Sequence, residues 1–382
     1  MTLSVYQHWD PLKTCIVGRS YPPEFYSWIT IPHVRSLFEK IALETEEDYQ
    51  KIINLLKSFG VTILRPNIDL DIVLEEQKVT GQFRPPPMTP RDHMIMIGEK
   101  FFEYSSGHVE RTYSDLRDPS WPTCRTLADF KSLPRAILEE CAEMHKVCWQ
   151  NFYSGYEDIL SYICQQGNEI YSNSNLIGLV NGAMVSRIGK DLYFGTKSYD
   201  DDVVKIKTLV DREFSDTRNH VVNTGGHSDS TYCPVTPGLI ISLIDVPTYS
   251  DTFPDWEVIY LKNQSWKLVK PFLDLKTKNQ GRWWIPGFEY DQDVINSVEI
   301  WLNHWLGYVE ETVFDVNMLI IDPKNVVVFN YNKSVFDALE RYGITPHVVT
   351  FRHRYFWDGG IHCITSDLHR DGQMQDYFPW RN

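Results

Sequence analysis

The hydrophobic positions of the chain form a pattern that recurs along its length. Short apolar segments occur in pairs, and the two members of a pair are separated by Gly or Pro, as in a β-hairpin with a tight turn. The four clearest hairpins, with turns at Gly98, Gly189, Pro237-Gly238 and Pro323, are His93–Tyr104, Ala183–Gly195, Cys233–Ile244 and Asn317–Asn330. This pattern predicts four pairs of antiparallel strands.

A second recurring pattern places a helix directly before a strand. Segments 54–64, 162–171 and 338–349 have apolar residues at helical spacing, then a Gly that ends the helix, then β-branched residues. Further strands are predicted around Leu12–Gly18 and Gly360–Ser366, which complete one split unit and give about five copies. Such repetition favours a closed radial α/β array over separate domains, although hairpins and helix–strand units also occur in α/β proteins without repeats.

Composition supports a folded protein and excludes several functional classes. Hydrophobic residues make up 42% of the 382 positions, and charged residues make up 23%, which argues for a buried core and against disorder. The net charge of -14 and the lack of a basic patch disfavour nucleic-acid binding. Because the sequence has no long apolar run and does not open on a basic and apolar leader, we expect a cytoplasmic protein without a membrane partner.

The cysteine pattern argues against disulfides and metal. The seven cysteines are scattered, odd in number and without a Cys-x-x-Cys pair. This arrangement disfavours both a disulfide framework and a zinc site. We therefore expect free thiols and no metal centre.

One cysteine lies in a segment suited to chemistry. In WDGGIHCITSDLHRDG at 357–372, two glycines permit close backbone approach before Cys363, in a segment predicted to be a strand. Cys363 is therefore a candidate nucleophile, and the alternative is a small buried apolar residue. His362 is not expected to be its base, because neighbouring residues on a strand point to opposite faces.

Two further segments supply a base and carboxylates. In NTGGHSDS at 223–230, His227 and Asp229 share one face of a predicted strand; the alternatives are a structural histidine and a metal pair, which would need further ligands. Arg91 and Asp92 follow a proline-rich approach, where the alternative is a surface ion pair. A thiol, an imidazole and two carboxylates suit a guanidinium group, since carboxylates bind its N–H fork and leave its carbon open to a thiolate.

The same segments carry a family resemblance. GGIHCITSDLHRDG resembles the active-site cysteine segment of the amidinotransferases, the arginine:glycine amidinotransferase family within the guanidino-modifying pentein superfamily. PRDHMIMIGEKFFE at 90–103, GHSD at 226–229 and WDPLKTCIVGRS at 9–20 are similar to other family segments, in the family's order. The resemblance implies a five-fold pseudo-symmetric α/β propeller, which we expect to span 1–382 as a single domain.

The resemblance also implies roles for individual residues. Cys363 would be the nucleophile, His227 the general acid/base, and Asp92 and Asp229 the carboxylates that hold the guanidinium. The implied reaction moves an amidino group from a guanidino donor, expected to be L-arginine, to an amine acceptor. L-ornithine is released, an amidino-cysteine intermediate forms, and no cofactor or metal is required. The expected partners are these small molecules, and a homodimer is left open.

One departure from the family concerns the catalytic histidine. Asn181 aligns with the aspartate that orients this histidine in the family. An amide can accept a hydrogen bond from imidazole, but it stabilises the imidazolium less than a carboxylate does. Two alternatives therefore stay open: a guanidine hydrolase of the same superfamily and a non-catalytic protein that binds guanidino ligands.

Other departures concern the acceptor. Val246 aligns with an arginine that binds the amino-acid carboxylate in arginine:glycine enzymes, and Glu310 and Glu311 align with two serines. Acidic residues there would favour a cationic amine, unless they are ordinary exposed acids. Gly225 and Gly226 leave room before His227. These changes predict an acceptor other than glycine.

Overall fold

The architecture consists of five small sheets built on one plan. The computed structural model describes residues 2–80, 83–103, 134, 136–137, 155–171, 180–196, 201–243, 249–261, 283–302, 305, 313–357 and 359–381. Within these residues the strands are β1 (Leu12–Val17), β2 (Thr62–Leu64), β3 (Met94–Ile97), β4 (Lys100–Glu103), β5 (Ile170–Tyr171), β6 (Val185–Ile188), β7 (Asp191–Thr196), β8 (Arg218–Asn223), β9 (Tyr232–Thr236), β10 (Leu239–Ser242), β11 (Glu257–Tyr260), β12 (Leu319–Asp322), β13 (Asn325–Val328), β14 (Thr345–Val348) and β15 (Thr365–Arg370).

Each sheet combines a hairpin with one later strand. The sheets are β3-β4-β5, β6-β7-β8, β9-β10-β11, β12-β13-β14 and β15-β1-β2. In each one the first two strands are antiparallel and the third runs parallel to the middle strand. The fifth sheet joins the two ends of the sequence, with Leu12 opposite Arg370. The repeat and its split unit are therefore confirmed.

In each sheet an α-helix lies between the second and the third strand, and further helices precede some of the hairpins. In the described residues the α-helices are Pro32–Ser58, Leu70–Thr80, Pro90–His93, Glu157–Gln165, Asp201–Glu213, Tyr249–Thr252, Gln292–Ser297, Val313–Val316, Lys333–Arg341 and Arg354–Trp357. Short 3-10 turns cover Pro23–Trp28, Gly182–Met184 and Ser228–Ser230, and Val298–Leu302 is a π-helical turn. Gly60 and Gly343 follow two of the helices with φ of 78° and 69°, a left-handed conformation that suits glycine and ends the helix.

The predicted hairpins and helix–strand segments agree with the structure. Turns lie at the expected glycines and prolines, and the ends of two predicted hairpins, Tyr104 and Ile244, lie outside the described residues. Segments 54–64, 162–171 and 338–349 each pass from helix to strand. The local pattern of apolar residues and turn formers therefore predicts the repeating unit correctly.

Two strand predictions near the candidate site are wrong. β15 begins only at Thr365, so His362 and Cys363 lie in a turn before the strand. The segment with His227 and Asp229 contains the 3-10 turn Ser228–Ser230 instead of a strand. The side chain of Asn317 accepts the backbone N–H groups of His362 and Cys363, and the His227 turn is closed by its own bonds from Ser230 N–H and Thr231 N–H. The backbone of both segments is therefore satisfied without a neighbouring strand.

The core is apolar and lies between the sheets and their helices. Its largest cluster packs the inner face of helix Pro32–Ser58, including Phe38 and Ile52, against Phe351 and Trp357 near the other end of the sequence. No helix in the described part of the chain is both long and apolar enough to cross a bilayer.

Candidate active site

Each sheet contributes one segment to the candidate site. Asp92 precedes β3, Asn181 precedes β6, His227 precedes β9, Asn317 precedes β12 and Cys363 precedes β15. These five strands hold equivalent places as the first strands of the hairpins. The segments before them therefore meet at one end of the sheets.

The thiol of Cys363 is buried between a donor and an acceptor. Asn317 Nδ2 donates to Cys363 Sγ at 3.0 Å, and the thiol donates to Asp229 Oδ2 at 3.5 Å. Burial raises the pKa of the Cys363 thiol well above its usual value, and the negative charges of Asp229 and Asp92 raise it further. In the unliganded protein this group is therefore a neutral thiol at pH 7.

Asn317 is a site residue that the sequence analysis missed. Its Oδ1 accepts the backbone N–H groups of His362 and Cys363 at 2.8 and 3.2 Å, so one amide fixes both the turn and the thiol. A Cβ on Gly360 would lie 2.2 Å from this oxygen, which explains why glycine stands there. The position of Asn317 just before a hairpin was the available signal, since the other site segments precede hairpins too.

Asp229 is buried, and one oxygen of its carboxylate contacts two side chains. His362 Nδ1 lies 2.8 Å from Asp229 Oδ2, the same oxygen that Cys363 approaches. Because both residues lie in a turn, the expectation that His362 points away from the Cys363 side is wrong. Burial raises the pKa of Asp229, but the hydrogen bond from His362 is the largest of several contributions that lower it, and the net shift is downward. Its other oxygen, Oδ1, is buried without a hydrogen-bond partner among the described residues.

His227 lies between Asn181 and Asp92. The Asn181 amide is 3.0 Å from His227 Nε2, and Asp92 Oδ1 is 3.8 Å from His227 Nδ1. The amide can donate to a bare Nε2 or, after rotation, accept from Nε2–H. Asp92 Oδ1 is buried and makes no hydrogen bond within the described residues. Nδ1 is therefore the ring nitrogen on the side of the carboxylate.

Arg91 is buried and is not part of a surface ion pair. Arg91 Nη1 binds Asp367 Oδ1 at 2.7 Å, and Asp367 also binds Arg187 and Arg370. Arg91 Nε donates to the carbonyl of Thr365 at 3.1 Å. The residue beside the candidate carboxylate Asp92 therefore anchors the segment that carries the thiol.

Some predicted acceptor residues cannot be placed. Val246, Glu310 and Glu311 lie outside the described residues. Gly225 is described, with φ of 71° and no atom within 4 Å of a Cβ built on it. This part of the segment before His227 therefore borders open space.

A cavity of about 740 Å³ lies away from the candidate site. Its lining includes the hairpin turns at Gly98 and Gly189. Asp92 and Asn181 precede the first strands of the same two hairpins, so the turns are at the opposite strand ends. The cavity and Cys363 therefore lie at opposite ends of the sheets.

Comparisons with known proteins identify related chains. No protein-family model matches. The mitochondrial glycine amidinotransferase of Xenopus tropicalis is 24% identical over 415 residues, which cover 98% of this chain and 84% of that protein. Inosamine-phosphate amidinotransferase 1 of Streptomyces glaucescens is 21% identical over 404 residues, which cover 98% of this chain and 99% of that protein.

Solved structures show the same fold. An amidinotransferase of the saxitoxin biosynthetic pathway from Microseira wollei superposes with a TM-score of 0.60 at 17% identity, covering 99% of this chain and 100% of that one. An inosamine-phosphate amidinotransferase from Streptomyces griseus gives a TM-score of 0.59 at 17% identity, covering 98% of this chain and 99% of that one. Over nearly its whole length the chain is therefore similar in sequence to amidinotransferases, and it has the pentein fold.

Proposed function

We propose that this protein is an amidinotransferase that takes an amidino group from L-arginine and gives it to an amine other than glycine, through a covalent bond to Cys363. The observation that carries the proposal is the pair of carboxylate oxygens, Asp92 Oδ1 and Asp229 Oδ1, buried without hydrogen-bond partners in the described part of the chain. Buried polar atoms are rarely left unpaired, so a cationic donor is expected there.

A guanidinium group meets this requirement. Its planar fork offers N–H groups in pairs, and a carboxylate accepts such pairs with charge assistance. With one carboxylate on either side, the central carbon stays open to Cys363 Sγ, which already contacts Asp229. The cation also offsets the negative charges that raise the pKa of the Cys363 thiol, so binding of the substrate favours the thiolate.

The first half-reaction releases the donor's amine. Cys363 Sγ bonds to the guanidinium carbon, and the thiol proton passes through His227 to the nitrogen that carries the rest of arginine. The carbon–nitrogen bond then breaks, ornithine leaves as the amine, and the amidino group remains on sulfur. Asn181 holds the ring of His227 during this transfer.

The second half-reaction reverses these roles. The acceptor nitrogen bonds to the amidino carbon while His227 takes its proton, and the carbon–sulfur bond breaks. The proton returns to the sulfur of Cys363, so the free thiol is restored. One imidazole therefore acts as acid and base in turn, and ping-pong kinetics are expected.

An acceptor larger than glycine is proposed from two features. Val246 replaces an arginine that would bind an amino-acid carboxylate, so the sequence lacks that contact. Gly225 borders open space before His227. Glycine as the best acceptor in a screen of amines would contradict this part of the proposal and leave the transfer itself intact.

The experiment is intact-protein mass spectrometry of the full chain after incubation with arginine and no acceptor. We expect one amidino group to add to the protein, with ornithine released in equal amount. Cys363→Ala should abolish both, and Cys164→Ala, which removes an exposed thiol, should change neither.

Other products would redirect the assignment. Accumulation of citrulline would mean that water attacks the adduct and that the protein is a guanidine hydrolase. No adduct and no product, together with retained arginine binding, would contradict catalysis and favour a binding protein.

A further inference from the structure

His362 has no place in the proposed reaction, although it lies beside the nucleophile. Its Nδ1 is 2.8 Å from Asp229 Oδ2, and its side chain is only 11% exposed. The ionised carboxylate of Asp229 can only accept hydrogen bonds, so the proton of this bond belongs to His362 Nδ1. His362 therefore holds Oδ2 of Asp229 and leaves Oδ1 without a partner among the described residues.

A second buried histidine lies next to His362. His8 Nε2 accepts the backbone N–H of Arg187 at 3.0 Å, and the ring centroids of His8 and His362 are 6.0 Å apart. A backbone amide can only donate, so His8 Nε2 carries no proton and Nδ1 carries one. Burial and the positive charge of Arg187 lower the pKa of His8 well below its usual value, in agreement with a neutral ring.

A small cavity lies against His8 and His362. It has a volume of about 20 Å³ and is lined by both histidine rings together with Asp229 and Arg370. A polar cavity holds a water when it exceeds roughly 10–15 Å³ and offers two or more hydrogen-bonding groups. This cavity therefore has room for one water.

We propose that His362 is a positioning residue for Asp229 and that a single water in this cavity connects it to His8. The water accepts from His8 Nδ1–H and donates to His362 Nε2, which is bare because Nδ1 holds the proton. The hydrogen bonds then form one chain, in which each group accepts from the group before it and donates to the next, from the amide of Arg187 to the carboxylate of Asp229. The inference rests on the proposed function, in which Asp229 binds the guanidinium.

The charge of His362 decides whether this arrangement works. A neutral ring orients Asp229 without cancelling its charge, whereas an imidazolium would compete with the guanidinium for the same carboxylate. The charged and titratable groups around the ring are Arg91, Asp229 and Asp367, together with His8 and Arg370, which line the same cavity. Burial and Arg91 outweigh the carboxylates and lower the pKa of His362 to about 4, so the ring stays neutral at pH 7.

The first test needs no activity. Nitrogen NMR of the full chain should find the proton of His362 on Nδ1 and that of His8 on Nδ1, and a high-resolution crystal structure should show one water between the rings. An empty cavity, or a proton on Nε2 of His8, would overturn the proposal. Because arginine is absent from both measurements, they remain decisive even if the proposed function fails.

The second test measures arginine binding by calorimetry on the Cys363→Ala protein. His362→Leu removes the donor and should weaken binding about tenfold or more, whereas His362→Asn retains an N–H near the place of Nδ1 and should stay within about threefold of the parent. If the role of His362 were merely structural, the two variants would bind arginine with equal affinity. Equal binding by both would overturn the inference, and absence of arginine binding in the parent would count against the proposed function instead.

Further variants test the water and the specificity of the effect. His8→Leu removes the proton donor to the water, so arginine binding should weaken in the same direction as in His362→Leu. His8→Gln keeps both an acceptor for the amide of Arg187 and an N–H donor, so it should bind arginine better than His8→Leu. His353→Leu is the matched control, because His353 also pairs with a carboxylate, Glu44, at 2.7 Å. Unchanged binding in His8→Leu, or an equal loss in His353→Leu, would overturn the link through water.

Discussion

The amide of Asn181 lies 3.0 Å from Nε2 of His227 and is the polar partner of that nitrogen in the described site. A carboxylate in this place would stabilise the imidazolium that forms when His227 takes the acceptor's proton. We therefore expect Asn181→Asp to raise kcat at neutral pH by about tenfold or more. Steady-state transfer rates with a fixed amine acceptor measure this.

Asn181→Leu is the matched variant, since it keeps the approximate volume and removes the hydrogen bond. It should lower kcat at least about tenfold, because the ring of His227 loses its orientation. If the leucine variant kept the parental rate, the contact between Asn181 and His227 would have no role in catalysis.

Alkylation of Cys363 should increase steadily with pH. Burial and the charges of Asp229 and Asp92 raise the pKa of this thiol well above its usual value, so the reactive thiolate remains a minor species up to pH 9 and beyond. The rate with iodoacetamide should rise about tenfold per pH unit from 7 to 9, as the thiolate fraction does. Peptide mapping separates this reaction from that of the exposed Cys164.

Asp92→Asn should affect neutral and cationic reagents in opposite ways. Loss of one negative charge near Cys363 favours the thiolate, so iodoacetamide should react faster. A cationic haloacetamidine should react more slowly, because one of the two carboxylates that attract it is gone. Equal changes for both reagents would argue against a cation site between Asp92 and Asp229.

Asp367→Asn should destabilise the fold strongly. Asp367 is 1% exposed and binds Arg91, Arg187 and Arg370, so its removal leaves three buried guanidinium groups without their shared carboxylate. We expect a loss of about 3–5 kcal/mol in the free energy of unfolding, measured with urea. Asp211→Asn, which breaks an exposed pair with Lys207, should cost less than about 1 kcal/mol.

The same carboxylate predicts a pH dependence of stability. The arginines hold the pKa of Asp367 well below its usual range. A depressed pKa of this kind contributes stability above the unfolded value near ~3.9, and the contribution is lost as the pH falls below that value towards the folded pKa. Below about pH 4 the stabilities of parent and Asp367→Asn should therefore converge; a constant difference would contradict the assignment.

Gly360→Ala should lower activity through Asn317. The new Cβ would lie 2.2 Å from Asn317 Oδ1 and would displace the amide that positions Cys363. We expect kcat/KM to fall about a hundredfold or more, and Asn317→Ala to cause a similar loss. If both act on one contact, the double variant should be little worse than either single one; additive losses would contradict this.

The repeating fold could be predicted because its information is local. Turn formers at Gly98 and Gly189 and the glycine after helix Pro32–Ser58 mark elements without reference to distant residues. The unit that contains Asp201–Glu213 and β8 was less evident, since no glycine stands between its helix and its strand. Where the turn chemistry is less marked, the three-dimensional packing decides the element.

The candidate site was only partly predictable for a different reason. Cys363 and His227 carry reactive groups and could be proposed from residue type alone. Asn317 acts through a neutral amide within an apolar segment, and its position before a hairpin is its one local signal. His8 acts through a partner far away in the sequence and has no local signal. The orientation of His362 was predicted wrongly because the alternation of a strand was applied to a turn, although the prediction that it is not the base for Cys363 remains.

The pairing of β1 with β15 has a consequence for the order in which the protein is made. β1 leaves the ribosome before the other described strands and has no hairpin partner until β15 follows them all. The four other sheets can form before β15 is made, whereas the sheet beside the nucleophile cannot. A nascent polypeptide that still lacks β15 therefore has no assembled thiol site.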